Sequence, residues 1–91
     1  MTSNFHMFSF KTRGCLHLKL EGDFVGNSAY ELLETLKKYD NGSYQIFIDT
    51  NDLKTIYPFG KKVFQKKLGI YKQQISNLIF IGENGQKISP N

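Results

Sequence analysis

Two short alternating stretches open the chain. Phe8 and Phe10 alternate with Ser9 and Lys11, and Leu16, Leu18 and Leu20 alternate with His17 and Lys19. A period of two predicts strands over 5–11 and 16–21, each turning one side to a core. Thr12-Arg13-Gly14 between them suits a tight connection, so the pair reads as an antiparallel hairpin. The period then lengthens. Ala29, Leu32, Leu33 and Leu36 recur at helical spacing, with Glu31, Glu34, Lys37 and Lys38 turned to water. A helix capped by Asn27 or Ser28 and running to residue 39 follows. Its acids come early and its lysines late, as the helix dipole favours, and Asp40-Asn41-Gly42 supplies a stop.

Beyond that stop, Ile46, Phe47 and Ile48 are consecutive and apolar, the mark of a strand covered on both faces, predicted over 44–49. A loop over 50–57 leads to Pro58, whose fixed φ suits a first helical position. The helix from there to residue 74 sets Phe64, Leu68, Tyr71 and Ile75 at core spacing. Residues 78–81 make the last strand, Gly82-Glu83-Asn84-Gly85 is turn chemistry, and 83–91 reads as a short tail. The order β-β-α-β-α-β defines an α/β domain over residues 1–91. It has a small mixed four-stranded sheet, an N-terminal antiparallel hairpin, then right-handed crossovers that put both helices on one face. The expected core is Phe8, Phe10, Leu18, Leu20, Leu32, Leu33, Leu36, Ile46, Ile48, Phe64, Leu68 and Ile79.

Composition narrows the class. At 91 residues there is room for one domain, burying somewhat over ~60% of its unfolded surface. Eight Phe and five Tyr supply bulk. A single cysteine, Cys15, excludes an internal disulfide framework and is too few for a cysteine-rich zinc site. It fits a reducing compartment, and with neither a signal-like leader nor an apolar span in view the expected location is cytoplasmic. The net charge of +4 is unevenly placed: Lys61, Lys62, Lys66, Lys67 and Lys72 cluster, and no acid occurs over 54–81.

Three local patterns, in this order of elements, resemble the STAS domain family, which includes bacterial anti-sigma factor antagonists and cytoplasmic domains of sulfate transporters. Leu18-Lys19-Leu20-Glu21-Gly22-Asp23-Phe24 looks like the family's second strand and following turn. Ile46-Phe47-Ile48-Asp49 is similar to its central strand. Leu53-Lys54-Thr55-Ile56-Tyr57-Pro58-Phe59-Gly60 falls in register with the loop and helix start. The resemblance covers residues 5–82. In that family a serine or threonine beside the final glycine is phosphorylated by a partner kinase, adding a dianion at a docking surface. Here Tyr57 stands at the acidic position and Pro58 and Phe59 at the hydroxyl positions, so only Gly60 is retained and the phosphoacceptor is absent. The resemblance implies a non-enzymatic bacterial interaction domain. Its partner would be a regulatory kinase, an anti-sigma factor or a transporter component.

The residues themselves point to a partner-binding surface over Asp52, Thr55, Tyr57, Pro58, Phe59, Gly60 and Lys62, where a rigid scaffold presents a loop aromatic. Phe59 could equally tuck beneath the helix. Lys61, Lys62, Lys66 and Lys67 form a basic patch for nucleic acid, an anionic surface or an acidic protein, or else a solvated helix face. Arg13 is the only arginine, which counts against nucleic acid. His17 should lie opposite Phe10 rather than His6, which argues against a metal pair, and Cys15 reads as a passive thiol. No nucleophile with an orienting base is visible, so neither catalysis nor a cofactor is expected. With Phe8, Phe10, Leu16, Leu18 and Leu20 toward the helices, Met7, His17, Lys19 and Phe47 face the other way. That helix-free sheet face could bury itself in a homodimer or stay solvated.

Overall fold

The computed structural model describes residues 4–39, 44–71 and 77–89. Its elements are β1 (His6–Thr12), β2 (Cys15–Phe24), α1 (Gly26–Lys38), β3 (Gln45–Ile56), α2 (Pro58–Tyr71), β4 (Leu78–Ile81) and α3 (Glu83–Ile88). The strands lie side by side in the order β1-β2-β3-β4. β1 runs antiparallel to β2, while β2, β3 and β4 are mutually parallel. This is the expected α/β architecture. Gly14, at φ +77°, supplies the left-handed residue of the two-residue hairpin turn.

β2 alternates cleanly: Leu16, Leu18, Leu20, Gly22 and Phe24 are buried, and the residues between them are not. Ile46 and Ile48 on β3, Leu32, Leu33 and Leu36 on α1, and Phe64 and Leu68 on α2 complete one core on the helix side. Phe64 sits edge-on to Phe24 at 5.9 Å and to Phe80 at 6.2 Å. No helix among the described residues is long and apolar enough to cross a membrane.

Five expectations are corrected. Phe8 and Phe10 are exposed on the helix-free face, while Met7 packs against the core. The cause is register: Phe10 pairs with His17 and Met7 with Leu20, and directly paired residues share a face. Phe5 then fills the inward place and meets Phe24 at 6.1 Å. Ile79 is likewise exposed, because it pairs with Phe47 and leaves Leu78 and Phe80 to the core. Residues 50–56 are strand rather than loop. The Asp and Asn that suggested a loop sit at an irregularity in the β2–β3 register, where Asp49 Oδ1 accepts the Asn51 N–H at 3.0 Å. α1 opens on Val25, with Ser28 in its first turn accepting the Val25 N–H at 2.9 Å and donating to the Asp23 carbonyl at 3.1 Å.

The supposed tail supplies the last correction, since residues 83–88 form α3. Ile88 is fully buried, Asn84 Nδ2 donates to the Thr50 and Leu53 carbonyls at 3.1 and 3.2 Å, and Gln65 Nε2 donates to the Ser89 carbonyl at 2.8 Å. A single apolar residue in a polar segment carries no period, which hid this helix. The expected helix stop at 40–42, the helix end at 74, Ile75 and Lys72 lie outside the described residues.

Urea unfolding separates the corrected core from the surface. Ile88→Ala should lose about 2–5 kcal/mol, whereas Phe10→Ser should stay within about 0.5 kcal/mol of the parent. The opposite ranking would contradict both assignments.

Candidate functional site

Because β2 and β3 are parallel, α1 and α2 both start at the same end of the sheet. The two junctions are bonded together: the Tyr57 N–H donates to the Phe24 carbonyl at 3.0 Å. Pro58 opens α2, and the Lys61 N–H closes its first turn on the Tyr57 carbonyl at 3.0 Å. Gly60 is buried against the β2–α1 junction. A Cβ there would lie 2.7 Å from the Val25 carbonyl group and 2.8 Å from the Phe24 carbonyl oxygen, so only glycine permits this approach.

That contact decides where Phe59 goes. Its ring lies over Gly26, where an added Cβ would come within 2.9 Å of Cδ2 and Cε2, yet the residue is 66% exposed. The ring is thus held from one side and open on the other. Tyr57 and Pro58 are exposed beside it. Between α1 and α2, Phe59 and Tyr30 flank an open groove of about 380 Å³, which Lys62, Val63, Lys66 and Lys67 also line. Neither helix has an acid in its first turn. Among the described residues, no carboxylate lies within ion-pair distance of Lys61, Lys62, Lys66 or Lys67. The groove therefore offers aromatic contact surface and uncompensated ammonium groups to whatever enters it.

Tyr57, Pro58, Phe59, Gly60 and Lys62 come together at this corner, and Lys66 and Lys67 extend it along α2. Lys61 is exposed on the first turn but does not line the groove. Thr55 is an exposed strand residue opposite Asp23. Asp52 belongs to the helix-free face, where its carboxylate meets Lys19 Nζ at 3.1 Å, with Glu21 at 3.9 Å. The bond to Asp52 and the Asp52 charge, with lesser help from the charges of Glu21 and Asp49, hold the Lys19 ammonium above the usual lysine range against an opposing desolvation. Tyr30, Val63 and Gly26 were not anticipated as site residues. An aromatic on the otherwise charged side of α1 was the available signal, but pairing it with Phe59 requires knowing that the two helix starts are neighbours. Among the described residues, no group of three or more His, Cys, Asp or Glu is placed to hold a metal ion. His6 and His17 lie in different rows, opposite Glu21 and Phe10 respectively.

No protein-family model matches the chain, and no curated protein matches it.

Two measurements check this geometry. Gly60→Ala should destabilise by about 1–3 kcal/mol because backbone must move, while Gly69→Ala, on the same helix with open space at its Cβ, should stabilise by about 0.5–1 kcal/mol. Equal effects would contradict the close approach at Gly60. In an NMR titration, Lys19 should deprotonate above the ordinary lysine value, and Asp52→Asn should bring it back toward that value. A raised folded value means that its stabilising contribution is present below the ordinary lysine pKa and fades as pH climbs through the raised one. An unmoved Lys19 titration in Asp52→Asn would contradict the pairing.

Proposed function

We propose that this chain is a bacterial, cytoplasmic, non-enzymatic domain of the STAS type, which docks a protein partner through the corner of Tyr57, Pro58, Phe59, Gly60 and Lys62. The observation that carries this reading is the exposed Phe59 ring, held against Gly26 at the head of two packed helices. A pre-positioned aromatic loses little freedom on binding, which makes it an effective anchor. The motif resemblance supports the same location and suggests a regulatory kinase, an anti-sigma factor or a transporter component as partner. With Pro58 and Phe59 at the hydroxyl positions, docking here is constitutive or controlled by other means. A second copy of the chain is the occupant we assign to the helix-free sheet face.

One observation favours a second reading. Tyr30 and Phe59 flank Lys62, Lys66 and Lys67 in one groove, and aromatics interleaved with cations suit a single-stranded nucleic acid or another anionic surface. Salt separates the two, since phosphate contacts lose affinity steeply as salt rises.

Capture from lysate tests the first reading. Phe59→Ala combined with Lys62→Glu should weaken retention of a protein partner by roughly 30-fold, the scale of one anchor residue. Unchanged retention would remove this surface from consideration. Steep, salt-sensitive binding to single-stranded DNA or RNA would favour the second reading.

A further inference from the structure

The helix-free sheet face carries an apolar band with unlike charge at its two ends. Phe10, His17, Phe47 and Ile79 are neighbours on successive strands and cross the middle of the face. The Phe10 and His17 rings stack at 4.6 Å and 6°, and those of His17 and Phe47 at 5.2 Å and 12°. Phe8 and Phe10 remain 53% and 58% exposed. At one end, the ammonium groups of Lys19 and Lys54 lie among the carboxylates of Glu21, Asp49 and Asp52, so that end is on balance acidic. At the other end is the hairpin tip, with Arg13 exposed and, among the described residues, without a carboxylate in ion-pair range.

We propose that this face packs against the same face of a second copy, the strands of the two copies antiparallel, about a two-fold axis crossing the strands at the His17 row. The arrangement rests on the self-association reading and not on docking at the Phe59 corner. Charge selects it. A two-fold axis lying between two sheets can run along the strands or across them. Along the strands, it stacks acidic end on acidic end and hairpin tip on hairpin tip, placing like charges together. Across them, it reverses strand direction while keeping β2 over β2, so each Arg13 meets the acidic end of the other copy. The register is compatible: Arg13, in the turn that leads into β2, and Glu21 are equally far from His17 along the chain, so an axis at His17 brings the hairpin tip toward Glu21 of the other copy.

The central row then packs on itself, Phe10 against Phe10 and Phe47 against Phe47, across the ~10 Å that separates packed sheets. The face measures roughly 440 Å² in plan, below the ~800 Å² per partner of a standard interface. The dimer is accordingly concentration-dependent rather than permanent.

Sedimentation velocity from low micromolar to near-millimolar protein tests this. The parent chain should pass from monomer to dimer. Phe10→Ser and Arg13→Glu should each weaken association by roughly tenfold, with thermal melting unchanged because both positions are exposed. Arg13→Glu combined with Glu21→Arg should restore the dimer, and Phe59→Ala should leave it untouched. A monomer at every concentration overturns self-association altogether. A dimer indifferent to Phe10→Ser and Arg13→Glu, or one that the charge swap fails to restore, overturns this arrangement alone.

Discussion

Parallel pairing of β2 with β3 brings the carboxyl ends of both strands to one end of the sheet, and the helices that follow them must start there. The Tyr57 to Phe24 hydrogen bond ties the two strand ends together, and Gly60 lets the first turn of α2 press onto the α1 junction. A side chain at position 60 would hold these backbones apart. With them in contact, the Phe59 ring lies across Gly26, and there it stays mostly in solvent. Local backbone sterics thus decide whether this aromatic becomes core or surface.

The same pairing divides the sheet into unlike faces. The described helices cover one side, where Leu16, Leu18, Leu20, Ile46 and Ile48 meet them. The other side keeps aromatic and charged residues in rows, with no helix above them among the described residues. α3 adds to this asymmetry rather than relieving it, because Asn84 and Gln65 bind it to β3 and α2 on the helix side. The molecule is left with a basic, aromatic groove at one corner and a banded sheet face behind it.

Much of this was legible in the residues. The 3.6 period of α1 and the alternation of β2 each identified an element, because each pattern admits one buried face; the apolar run of β3 and the proline opening α2 marked a strand and a helix start without one. β1 failed for a physical reason: Phe5 and Met7 lie on one side and Phe8 and Phe10 on the other, so hydrophobicity could not choose the inward face. Pairing with His17 chose it. β4 is apolar at every position and equally mute about direction. Asn51 and Asp52, residues of loop type that sit at a register irregularity, hide the extension of β3. At the site, Phe59, Pro58 and the lysines were identifiable in sequence, whereas Tyr30 joined them only through contact between helices distant in the chain.

The central claim is that Phe59 is fixed over Gly26 while its outer face stays in water. Proton NMR with a soluble paramagnetic probe reads both halves at once. Strong cross-relaxation is expected between the Phe59 ring protons and the Gly26 α-protons, together with marked probe broadening of the same ring. A ring that is shielded from the probe, or that shows no proximity to Gly26, would contradict it.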